Sequence, residues 1–183
     1  MLKSRKIASV LMALVGAGMV AAGPVLVYEG VHGQGMIKNE LKAQEIAFPA
    51  DKAQLPEALQ KYAGQHVTTG SDAKAYADLI ATHVAKATGG KTYSEVSSEW
   101  IAGGRKDEQL GQARQTAFMG ETLRGSLMSA YQAEQVTWLV IALGALFIAL
   151  GAVLGVTAFS LRTRKIVVPS SPEALVGEHL PVS

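Results

Sequence analysis

Hydrophobic positions along this chain fall into two uninterrupted runs near its ends, with a mixed, periodic stretch between them. Ile7 to Tyr28 is 22 residues without a charge, and Val136 to Leu161 is 26. A helix needs about 20 apolar residues to cross ~30 Å of hydrocarbon, because only helices and closed barrels satisfy their own backbone polar groups in lipid. The pattern predicts a mostly all-α chain, with membrane helices at 7–28 and 136–161 flanking a small, mainly helical domain at 29–135.

Small residues recur inside both runs. Ala13, Gly16, Ala17, Ala21 and Gly23 follow helical spacings of three, four and seven, and Gly144, Gly151 and Gly155 share a face in the second run. Lipid gives helices no hydrophobic reason to associate, so close backbone approach across small residues is a usual source of contact. Gly16, Ala17, Gly144, Gly151 and Gly155 are therefore candidate packing positions, serving either the partner span or another subunit. Pro24 is expected to kink or end the first helix near its outer boundary.

Between the runs, Gly30, Gly33 and Gly35 predict a flexible exit loop over 29–35. Ile37 and Leu41 then mark a short amphipathic helix over 36–45. Pro49 and Pro56 predict loop with short extended or helical pieces as far as Gly70. From Ser71, a plausible N-cap, to Thr88 the three-four spacing of Ala73, Tyr76, Ala77, Ile80, Val84 and Ala87 predicts an amphipathic helix, stopped by Gly89-Gly90. Lys91 to Val96 fits a turn followed by a strand or a short helix. A further helical tract begins near Asp107 and meets no proline before the second run, so it is expected to enter the span unbroken. Pro169 and Pro172 predict a disordered tail over 162–183.

Charge orients this arrangement. Lys3, Arg5 and Lys6 precede the first run and Arg162, Arg164 and Lys165 follow the second, whereas residues 29–135 carry 11 Lys and Arg against 13 Asp and Glu. Short basic flanks resist translocation, so residues 1–6 and 162–183 are expected in the cytoplasm and 29–135 outside. Tyr28 and Trp138 fit the lipid–water boundary. The basic start and the small residues Val20-Ala21-Ala22-Gly23 resemble a cleaved signal peptide, but the run exceeds the roughly 7–15 residues of a signal core and reads as an uncleaved anchor.

The chain contains no cysteine, so the central domain holds together without disulfides. Its balanced charge offers no basic stripe for nucleic acid. His32, His66, His83 and His179 have no close His or Cys companions, and neither a nucleophile elbow nor a complete phosphate loop occurs; Gly89-Gly90-Lys91-Thr92 has Ala85 where that loop needs glycine. The spans contain no ionisable side chain, which disfavours solo transport. His83, at the border of an apolar helical face, reads as a structural donor to Tyr93 or a loop carbonyl, with a pH-sensing or docking role as the alternative.

The segment Ile80-Ala81-Thr82-His83-Val84-Ala85-Lys86-Ala87-Thr88-Gly89-Gly90-Lys91-Thr92-Tyr93-Ser94-Glu95-Val96 lies between the spans. With Ala117-Phe118-Met119 and Leu123-Arg124-Gly125-Ser126-Leu127, it resembles a group of small actinobacterial membrane proteins with two transmembrane helices. The resemblance covers about residues 46–156, and its most specific part is 83–96. It implies an architecture and a cell membrane, without an activity. Members often carry the name of an aromatic ring-opening dioxygenase, yet the two histidines and carboxylate of a non-haem iron site are not legible here. Residues 100–111 form a longer insertion than the resemblance implies.

Together these readings favour a non-enzymatic accessory or scaffolding subunit of a larger envelope or respiratory membrane assembly. It would touch membrane lipid and a protein partner, with no cofactor, metal, nucleic acid or small-molecule substrate. The alternatives are a metal-dependent oxygenase using His32, His66 and His83, and a homo-oligomeric pore lined by Gly144, Gly151 and Gly155.

Overall fold

The computed structural model describes residues 2–163, and they form four α-helices: α1, Leu2–Ala43; α2, Gly70–Thr88; α3, Tyr93–Ala102; and α4, Glu108–Thr163. Two 3-10 turns, Lys52–Gln54 and Glu57–Tyr62, lie between α1 and α2. Among the described residues the only β pairing is an isolated antiparallel bridge between Ala47 and His66. The chain is mostly helical, and α1 and α4 are each long and apolar enough to cross a membrane. The expected disordered tail and His179 lie outside the described residues beyond Thr163.

α1 corrects two expectations. It neither ends at Pro24 nor opens into a loop over 29–35, but runs on to Ala43. Gly30 explains the second difference. A Cβ built there would stand 2.9 Å from the Thr137 carbonyl oxygen, so the glycine is a packing surface that holds helix where composition alone reads loop. α4 enters the second apolar run unbroken, as its lack of proline predicts.

The chain divides into two compact units. Of the described residues, one takes in 2–20 and 149–163. In it α1 packs against α4 through Ser9, Gly16, Gly151 and Ala158, all buried. The other unit is Ala21–Ile148. Its core gathers Leu41 from the end of α1, Phe48, Leu55 and Val67 from the connecting segment, Leu79 from α2 and Leu127 from α4. Phe48 stacks on Tyr62 at 5.0 Å and meets the edge of Tyr76 at 5.1 Å, which fastens the connecting segment to α2.

α2 starts one residue before the expected position. Thr69 is the N-cap, and Thr69 and Asp72 exchange side-chain and backbone hydrogen bonds in a capping box. Its C-terminus is closed by Gly89 in the left-handed conformation, φ 63°. Burial extends past the predicted face to Ala75 and Leu79, because α2 is covered from more than one side; Ala87 is exposed.

α3 resolves the ambiguity over Lys91 to Val96 in favour of helix. Thr92 caps it, and Glu95 accepts from the Thr92 N–H at 2.8 Å. The Thr92 backbone N–H, and then its hydroxyl, hold the Glu95 carboxyl below its ordinary value of 4.5. A depressed folded-state value stabilises α3 above pH 4.5, and that contribution is lost as pH falls through the lowered value. Protection of the amides at the start of α3, taken as the intrinsic over the observed exchange rate, is therefore expected to fall as pH drops below about 4.5. In Glu95→Gln that protection is expected to be already low at neutral pH and insensitive to acid; equal acid sensitivity in the variant would contradict this.

Candidate functional site

The contact between α1 and α4 is built from small residues repeated every seven positions. In the first unit, a Cβ on Gly16 would lie 2.9 Å from the Gly151 carbonyl oxygen, and one on Gly151 2.7 Å from the Gly16 carbonyl oxygen. Ser9, seven residues before Gly16, donates its hydroxyl to the carbonyl of Ala158, seven residues after Gly151, at 3.0 Å. The Arg162 Nε donates to the same hydroxyl oxygen at 3.2 Å.

The second unit repeats the spacing. Gly23 and Gly144 approach reciprocally, with Cβ-to-carbonyl distances of 2.8 and 2.7 Å, and Gly30 faces Thr137. Within each unit a step of seven forward on α1 is matched by seven back on α4, so the two helices run antiparallel there. A strict seven-residue repeat keeps one seam facing its partner when two helices coil left-handed. At these paired glycines any Cβ would overlap the facing backbone, so only glycine leaves room there.

Of the predicted packing residues, Gly16, Gly144 and Gly151 lie in this seam. Ala17 does not and is exposed; Gly155 stands at the edge, its backbone nitrogen 3.3 Å from where a Cβ on Gly16 would lie, while a Cβ of its own would meet nothing within 4 Å. Gly144 and Gly151 are covered by α1 of the same chain. Gly23, from the small-residue face of the first run, joins them, and Ser9, Gly30, Thr137 and Ala158 complete the seam without having been predicted. The seven-residue spacing was the signal, and it runs past Tyr28, where the apolar run stops.

His83 and Tyr93 are not brought together. His83 is exposed, and among the described residues its side chain makes no hydrogen bond. Tyr93 belongs to a clamp between α3 and α4. The Arg114 guanidinium donates to Ser97 Oγ at 2.8 Å and to the Tyr93 hydroxyl at 3.2 Å, while lying 4.9 Å from the Trp100 ring centre. Ser97, and after it Arg114, hold the Tyr93 phenol below its ordinary range. Gly111 leaves space for Trp100, so the insertion over 100–111 folds back on itself. His32 stacks on Tyr28 at 6.0 Å, and His66 is exposed beside the bridge to Ala47. Among the described residues no three His, Cys, Asp or Glu side chains gather as a metal would require.

The second unit also holds a cleft of about 790 Å³ between the end of α1, α2 and α4. Ile37, Leu41, Ile80 and Leu127 form much of its wall, and Glu40 is the one charged residue lining it. Neither the three-four spacing nor the apolar runs reveal it, because four separated segments build it.

α2 is tied to α4 at the threshold of the second apolar run. Glu134 accepts from the Ser71 N–H at 3.2 Å, placing a carboxylate at the positive end of α2. Gly70 makes room for this, since a Cβ there would be 2.9 Å from the Tyr131 Cα. No family model, no curated protein and no solved structure matches the chain.

Proposed function

We propose that this is a two-span membrane protein, with both termini in the cytoplasm and residues 29–135 outside. One observation carries the reading: over 7–28 and 136–161, away from the seam, both helices present large apolar side chains outward and no charge. Leu14 is 65% exposed, Leu139 68% and Phe159 68%, an arrangement that costs little in lipid and a great deal in water.

The ends of this apolar zone are level on the two helices. From the Gly30–Thr137 contact toward the apolar runs, Tyr28 is two residues away and Trp138 one, a height difference of about 1.5 Å. From the Ser9–Ala158 contact toward the termini, Lys6 is three residues away and Arg162 four. Ser9 to Gly30 is 21 residues of α1, roughly 32 Å of helix, which fits the ~30 Å core of a bilayer. The same seam supports an uncleaved first span, because cleavage after Ala22 would remove Ser9 and Gly16 and strip the cover from Ala158 and Gly151.

On this architecture the chain serves as a non-enzymatic accessory or scaffolding subunit of an envelope assembly, in keeping with the resemblance to actinobacterial two-span proteins. Its seam is spent within the chain. Partner contact therefore falls to exposed apolar side chains of the outer domain, such as Ile101, Phe118 and Met119. Purification from native membranes in mild detergent is expected to retain a membrane partner in fixed ratio, and Phe118→Asp is expected to release it. Recovery of the chain alone would overturn the scaffolding role.

A further inference from the structure

The geometry points to the cleft between α1, α2 and α4 as a binding site for one acyl chain of a bilayer lipid, drawn from the leaflet at Tyr28 and Trp138. This rests on the two-span reading above.

The cleft lies within the roughly 300–1,000 Å³ usual for small-ligand sites, and its lining is mainly apolar. Along α4 it extends from Leu123 to Ala133, ten residues or about 15 Å of helix. That is the depth one acyl chain fills in half of a ~30 Å hydrocarbon core.

Its lower end adjoins the membrane. Ala133 is five residues, about 7.5 Å of helix, from Trp138. On α4 the same face continues from Ala133 through Val136 to Val140, so the cleft wall passes into the lipid-facing surface without meeting a charge. Val136 is itself 58% exposed. Glu134, the nearest acid on α4, is turned to the Ser71 N–H and does not line the cleft. On α1, a Cβ on Gly33 would lie 3.0 Å from Thr137 Cγ2, so the two helices close together there, and Met36 at the foot of the cleft is 58% exposed. Continuity with the span is what selects lipid over other occupants.

The test uses the full chain in phosphatidylcholine nanodiscs containing a phosphatidylcholine with a photoreactive diazirine near the end of one acyl chain. Illumination and peptide mass spectrometry are expected to find label on Leu123, Leu127 or Ile37 as well as on span residues such as Leu146. Ala130→Trp, which fills the cleft, is expected to lower cleft labelling at least fivefold and to leave Leu146 labelling unchanged. Ser126→Trp obstructs the same space from the exposed rim and replaces Ala130→Trp if that variant does not fold. Label on the spans with none in the cleft overturns this inference while sparing the two-span reading. Absence of label from Leu146 as well overturns both. Chain-to-chain cross-links through the cleft would assign it to a second copy and also overturn the inference.

Discussion

Gly23→Leu is expected to cost the helix pair about 1–3 kcal/mol or more, whereas Gly18→Leu, five residues away on the same helix, costs nothing measurable. The contrast isolates the seam. A Cβ at Gly23 would stand 2.8 Å from the Gly144 carbonyl oxygen and 3.1 Å from the Ile148 backbone nitrogen, so backbone must move to admit a side chain. A Cβ at Gly18 meets nothing within 4 Å, and leucine there favours helix over glycine. Gly144→Leu is expected to match Gly23→Leu, since each glycine faces the other's carbonyl. The double variant is expected to cost less than the two singles combined, because the first substitution has already forced the helices apart. Thermal unfolding in mild detergent, followed by circular dichroism, reads all four variants. Equal midpoints for Gly18→Leu and Gly23→Leu would remove the seam as the source of helix association.

Phe48→Ala is expected to destabilise the outer domain by about 3–5 kcal/mol, the usual cost of deleting a buried aromatic ring. Phe48 is 3% exposed, touches both Tyr62 and Tyr76, and donates its backbone N–H to Gln65 at 2.9 Å. Removing the ring leaves a void where the connecting segment crosses α2, and that segment has little regular structure of its own to keep it in place. Limited proteolysis is expected to shift to 44–69, while fragments spanning α1 up to Tyr28 and α4 from Trp138 remain protected in lipid. Phe48→Leu keeps most of the volume and loses chiefly the ring–ring contribution, about 0.5–1.5 kcal/mol. Resistance of Phe48→Ala to proteolysis at wild-type levels would contradict this view of the core.

The elements legible in the sequence were those governed by local rules. Apolar run length identified α1 and α4, and the Gly89-Gly90 stop together with the spacing from Ala73 to Val84 identified α2. Thr92 and Glu95 hold the capping signal that settles α3. The misread elements depended on distant neighbours. Gly30 and Gly33 have the composition of a loop and become helical because Thr137 and Ile141 of α4 occupy the space a side chain would take. Leu79 lies off the predicted face of α2 because the connecting segment covers that side as well. Ala17 and Gly155 have the right size for the seam and the wrong phase, one residue after Gly16 and four after Gly151. Size selects candidates for close packing, and only the seven-residue phase selects among them. The cleft had no local signature at all.

Because the chain has no cysteine, a single introduced thiol reports its own location without background. The most direct measurement of the two-span arrangement is labelling of intact cells with a membrane-impermeant maleimide, using Lys6→Cys, Ser98→Cys and Thr163→Cys, all at exposed positions. Ser98→Cys is expected to react in intact cells, and Lys6→Cys and Thr163→Cys only after permeabilisation. Reaction of either terminal thiol from outside, or protection of Ser98→Cys until the membrane is opened, would contradict the account.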